Sequence, residues 1–254
     1  VVSDCHNTQR PLFVCLRAHD QRPLPWISRL AKWGFGVSSG LNRRDEEEIA
    51  AYDAVVARFG ASSELALREH VADALVDKGL ALARIGRDEQ AIAACNDVVA
   101  RFGTASELAL REHVAQSLFI KGVLLSELGR SDEAIAAYDD VIARFGSAHE
   151  LALREQVAKS LCNKGTRLGL LGRCEESIAV YDDVVARFDT ASELALREAV
   201  GRSLFYKGAT LHQLGRGEAA IALFNHVLAR FAQSDEIPLK TIVDATSRFR
   251  ELTA

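Results

Sequence analysis

The chain repeats itself every 43 residues, and this period restricts its fold more than any composition value. The tetrapeptide Ala-Arg-Phe-Gly ends at Gly60, Gly103 and Gly146. It returns as Ala-Arg-Phe-Asp ending at Asp189 and as Ala-Arg-Phe-Ala ending at Ala232. The stretch Glu-Leu-Ala-Leu-Arg-Glu starts at Glu64, Glu107, Glu150 and Glu193 with the same step. Residues 61–103 and 104–146 are identical at 26 of 43 positions. Repeats of this length are single supersecondary units that cannot bury an apolar face alone, so neighbours must stack to make a core.

Each unit reads as two helices. The spacing predicts a first helix over Glu64 to Arg84, with Leu67, Val71, Leu75 and Leu82 at helical intervals and no proline. Ser63, Ser106 or Ser192 precedes a glutamate and can cap the first turn, and Glu64 with Arg68 makes a favourable i,i+4 pair. Gly86, Gly129, Gly172 and Gly215 then break the chain. A second helix follows over Asp88 to Phe102, with Ile92, Val98 and Phe102 apolar. No segment alternates with the two-residue period of a strand, so the fold class is all-α.

Small residues recur at fixed places: Gly79, Gly122, Gly165 and Gly208 in the first helix, and Ala91, Ala134, Ser177 and Ala220 in the second. A larger partner stands at Cys95, Tyr138, Tyr181 or Phe224. Counted from Ala115, the residues Leu118, Lys121, Gly122, Leu125, Ala134, Tyr138 and Gly146 carry a resemblance to the tetratricopeptide repeat family over residues 45–252. The departures are regular: Leu for Trp, Lys for Leu, Leu for Tyr and Gly for Pro. The unit is also longer than the family's about 34 residues, and the extra length extends the first helix at its N-terminus. The resemblance implies an α-solenoid of stacked helix-turn-helix repeats, coiled into a right-handed superhelix.

Four full units run from 61 to 232. Residues 29–60 read as a degenerate partial repeat, in which Asp45 to Gly60 is a second helix. Its own first helix, Pro25 to Gly40, is degraded by Gly34, Gly36, Ser38, Ser39 and Gly40. Residues 233–254 read as a capping helix, where Pro238, Lys240 and Thr241 replace Ala, Arg and Glu. Polar Thr246, Ser247 and Arg248 stand where the repeat pattern packs inward. Residues 1–28 have no repeat counterpart, hold three of the four prolines, and are expected to be dispensable, as a disordered segment, a linker from a missing domain or an artefact of gene calling. The chain has no methionine and starts at Val1, which fits a fragment or a non-standard start codon.

Composition narrows the function classes. The net charge of -4 and pI near 6.0 argue against a protein that holds nucleic acid by phosphate neutralisation. No apolar run approaches the about 18 residues that span a bilayer. Five cysteines without Cys-x-x-Cys spacing point to a reducing, cytoplasmic setting, and the excess of Arg over Lys points to a GC-rich bacterial gene. Cys5, His6, Cys15 and His19 could ligate zinc, but their spacing matches no compact finger, so no metal or other cofactor is expected. His70 and His113 share a repeat position with Gln156 and Ala199 and read as solvated surface residues. Cys162 and Cys174 have nothing beside them to lower a thiol pKa. No catalytic motif is present, and the chain is not expected to be an enzyme.

The copies differ mainly in the second half of the first helix, the stretch that lines the concave groove in the resembled family. Helical spacing places Asp73, Val76, Asp77 and Leu80 on one face, followed by Gln116, Phe119, Ile120 and Val123 in the next unit. Lys159, Cys162, Asn163 and Thr166 come third, and Arg202, Phe205, Tyr206 and Ala209 fourth. Phe119, Ile120, Phe205 and Tyr206 are expected to anchor a peptide or partner protein, with Lys159, Asn163 and Arg202 orienting its polar groups. The resemblance places Asn163 at the family's asparagine for a terminal carboxylate. Cys162, Thr166, Phe205 and Ala209 at the remaining clamp positions depart from a full carboxylate clamp. Lys78, Lys121, Lys164 and Lys207 form a ladder whose ammonium groups are expected to pair with acids of the same or next unit. The expected function is a scaffold or adaptor for a protein or peptide ligand. A regulatory module of a larger enzyme and a self-assembling repeat protein are the alternatives.

Overall fold

The computed structural model describes residues 43–253. Among them are ten helices and no strand: α1 (Arg43–Phe59), α2 (Leu65–Arg84), α3 (Asp88–Phe102), α4 (Leu108–Glu127), α5 (Ser131–Phe145), α6 (Leu151–Leu170), α7 (Cys174–Phe188), α8 (Leu194–Gln213), α9 (Gly217–Phe231) and α10 (Ile237–Thr253). They fall into two compact units, residues 43–164 and 165–253, with the boundary inside α6. In the first unit α1 packs on α2, α2 on α3, α3 on α4 and α4 on α5. In the second, α7 packs on α8, α8 on α9 and α9 on α10.

Each first helix ends in the same way. Gly86, Gly129, Gly172 and Gly215 have φ between 74° and 77°, a left-handed conformation that costs an L side chain steric strain. At the first of these turns the Arg87 N–H donates to the Leu82 carbonyl and the Gly86 N–H to the Ala83 carbonyl, at 2.9 and 3.0 Å. That pair of bonds is the Schellman motif, and it satisfies carbonyls that the helix end would otherwise leave open. The second helix then starts at Asp88, as the periodicity predicts.

The starts of the first helices differ from the sequence expectation. Glu64, Glu107 and Glu193, rather than the serines before them, hold the N-cap position in an extended conformation without a side-chain cap. Held there, glutamate is not on the helix surface to meet the arginine one turn later. Arg68 instead reaches Glu107 of the next unit at 2.8 Å, and the same tie recurs as Arg111–Glu150 at 3.0 Å and Arg197–Glu236 at 2.7 Å. The Glu107 and Glu150 carboxyls are held below their ordinary value of 4.5 by their own backbone N–H groups and then by Arg68 and Arg111. Glu236 is pulled to about 2, first by the Ser234 hydroxyl, then by its backbone N–H and Arg197. A depressed carboxyl stabilises the fold above its unfolded value and loses that contribution as the pH falls through its folded value. A Glu107→Gln, Glu150→Gln variant is therefore expected to melt below wild type at neutral pH. Melting curves across pH should show the gap closing as the medium falls below 4.5.

The repeated Ala-Arg-Phe has a structural use for each long side chain. Phe102, Phe145, Phe188 and Phe231 are buried. The arginine reaches back one unit and donates to the carbonyl of the glycine that follows the preceding second helix, as Arg101 to Gly60 and Arg144 to Gly103, both at 3.2 Å. The lysine ladder points the same way. Lys121 donates to Asn96 at 2.8 Å and Lys164 to Asp139 at 2.5 Å, while Lys78 and Lys207 meet Asp53 and Asp182. The partner lies on the preceding unit's second helix, not in the same or next unit, and in one case it is an amide. In helix α10 Thr246 is fully buried like its counterparts Ser117, Ser160 and Ser203, its hydroxyl donating to the Ile242 carbonyl at 2.7 Å. Arg248, by contrast, stands where the complete units have Val76, Phe119, Cys162 and Phe205, and is exposed.

Candidate functional site

Local curvature follows from which helices meet. Helix α2 packs on α4 as well as on α3, and α8 on α10 as well as on α9, whereas no pair of second helices makes a comparable contact among the described residues. The first helices therefore form the inner side of each unit, and the variable residues sit on them.

On the first unit's inner side the structure separates exposed residues from core. Asp73 and Asp77 are exposed, and Leu80, Gln116, Phe119, Val123, Lys159 and Asn163 are half-buried. Val76, Ile120 and Cys162 are buried. Asp73 is paired: its Oδ1 lies 2.5 Å from His113 Nε2, while His113 Nδ1 lies 2.5 Å from the Ala109 carbonyl. His113 is thus a tie between α4 and α2, not the solvated residue expected from its variable counterparts. The partner exists only where the preceding unit carries Asp73, so the repeat pattern could not reveal it. His70 is exposed, as expected.

Asp77 is electrostatically unfavourable where it stands. Partial burial, the neighbouring Asp73 and, more weakly, Glu48 push its carboxyl above the usual value of 3.8, against the pull of His113 and Arg84. A raised carboxyl opposes folding when ionised, and this opposition vanishes once the pH falls below the unfolded value. Asp77→Asn is accordingly expected to raise the melting temperature at neutral pH, with a difference from wild type that shrinks in acid. Lys159 stands 3.8 Å from Glu155 on its own helix, a loose surface pair.

The second unit's inner side is largely filled. Phe205, Tyr206 and Ala209 are buried at 3%, 2% and 2% exposure. Tyr206 stacks on Tyr181 with centroids 6.0 Å apart, and Phe205 packs against Phe224 and Phe249 at 6.1 and 5.9 Å. The Thr166 hydroxyl lies 3.2 Å from that of Tyr181. Arg202 remains half-buried. Phe205, Tyr206 and Ile120 are thus covered by the chain itself, while Phe119, Val123 and Leu80 keep part of their apolar surface open.

Among the described residues no His, Cys, Asp or Glu side chains gather in threes to hold a metal. The Cys5–His19 set lies outside the described residues. Cys95 is buried, and burial pushes its thiol up to about 12. Cys174, also buried, is shifted upward first by desolvation and then by Glu175. A cavity of about 530 Å³ between α4 and α5, lined by Leu118, Leu125, Ala137 and Asp140, includes none of the variable inner residues. No helix among the described residues is long and apolar enough to cross a membrane.

Two tetratricopeptide repeat family models match the chain, one over residues 49–107 and 162–235 and the other over residues 115–144. The chain belongs to the tetratricopeptide repeat family. Such repeats serve in general as protein–protein interaction scaffolds and are generally non-catalytic. No curated protein is found to match the chain. As a tetratricopeptide repeat protein it keeps the family's small residue at the helix crossing, where Gly122, Gly165 and Gly208 each face an aromatic ring.

Proposed function

We propose that this chain is a non-catalytic scaffold or adaptor that binds a peptide or partner protein along the inner side of its first helices. One contrast carries the reading. The long side chains that stay constant from unit to unit are taken up by the fold, as the arginine, lysine and phenylalanine ladders show. The exposed or half-buried positions that vary, Asp73, Asp77, Gln116, Phe119, Lys159 and Asn163, all lie on first helices of the first unit.

Half-exposed Phe119 offers the apolar anchor of this inner side, and Asn163 and Lys159 offer polar contacts around it. A displayed peptide library selected on the wild-type chain tests the reading. Selected peptides should lose affinity by about tenfold or more on a Phe119→Ala, Asn163→Ala variant, as truncation of an interface anchor often costs 2 kcal/mol or more. Peptides that bind both proteins equally would place the interaction elsewhere.

A further inference from the structure

Four positions that are buried in complete units are open at one end of the first unit. Tyr52, Val55 and Phe59 on α1 and Leu67 on α2 are only half-buried. Their counterparts 43 residues later, Cys95, Val98, Phe102 and Leu110, are between 0% and 6% exposed. The next set, Tyr138, Val141, Phe145 and Leu153, lies in the same range. In a complete unit the second helix is faced by its own first helix, with the Tyr138 ring against Gly122. Helix α1 is a second helix with no first helix before it among the described residues. The open face therefore has the form of a place for one first-type helix.

We propose that residues 25–40 of the same chain occupy this face and complete the degenerate unit. The register singles them out. Gly36 stands 43 residues before Gly79, which puts a glycine opposite Tyr52 as Gly122 stands opposite Tyr138. In this register Trp33 takes the place of the buried Val76 and Ala31 that of the buried Ala74. Forty-two residues precede Arg43, enough for a helix of the 20 residues seen in α2 and a connection back to α1. An uncovered terminal face is what stacked repeats must cap. This inference is independent of the groove reading.

Both tryptophans of the chain, Trp26 and Trp33, lie in the segment, so tryptophan fluorescence of the full chain reports on this docking alone. The native protein should emit to the blue of the urea-unfolded protein and resist acrylamide quenching. Gly36→Leu should shift the emission to the red and restore quenching, with the helical melting of residues 43–253 retained. Gly34→Leu, two residues out of register, should leave the emission in place. Tryptophans fully open to quencher in the native wild type would overturn the proposal. So would equal damage from the two glycine substitutions, which would refute the register. Protection that appears only as protein concentration rises would mean that a second copy's segment fills the face, and it would overturn docking within one chain.

Discussion

Gly122→Leu is expected to destabilise the chain by about 3 kcal/mol, while Gly79→Ala should be neutral or mildly stabilising. The two glycines hold the same repeat position but face different side chains. A Cβ at Gly122 would lie 2.4 Å from Cε1 of Tyr138 and under 3 Å from two more ring carbons. The ring is 1% exposed and has no room to retreat. At Gly79 the opposing residue is Cys95, whose Sγ would be 3.6 Å from an added Cβ, an ordinary contact. There the helix propensity of alanine adds up to about 1 kcal/mol. Urea melts of the two variants check the pair. Equal effects at both sites would mean that the ring, and not the glycine's repeat position, has been misplaced.

Tyr206→Ala carries the second large effect, a loss of about 3–5 kcal/mol expected for truncating a buried ring. Tyr206 is covered by Tyr181 and Phe205, so its removal leaves a void between α7 and α8. Phe119→Ala should cost much less, because that ring is half-buried, packing on Tyr138 at 6.2 Å. A double Phe119→Ala, Tyr206→Ala variant would therefore confuse folding with binding. Thermal melts of the two single variants separate the cases.

The fold was legible because each copy of the unit solves the same packing problem. A 43-residue step, a glycine after the first helix and a small residue at the crossing sufficed to place the first helix to within a residue and the second from Asp88 to Phe102. The face on which variation gathers could also be read. What could not be read was which variable residues reach solvent. Phe119 and Phe205 share a repeat position and each lies about 6 Å from the ring of its own second helix. Phe205 is buried because Phe249 also packs on it, and the residue in the corresponding place for Phe119 is Asn163. Burial at such a site depends on a residue one unit further along the pattern, outside any helical period. The cap serines and the Glu64–Arg68 pair failed for a related reason. Local rules were outweighed by a contact between units, Arg68 with Glu107.

Partners are expected to meet the inner side of the first helices, and site-specific photo-crosslinking tests this. A photoreactive residue is placed at Phe119 on α4 in one protein and at the exposed Ala136 on α5 in another. Each protein is irradiated with a peptide selected on the wild type. The account predicts an adduct from position 119 that an excess of unlabelled peptide abolishes, and none from position 136. A competable adduct from position 136 with none from 119 would contradict it.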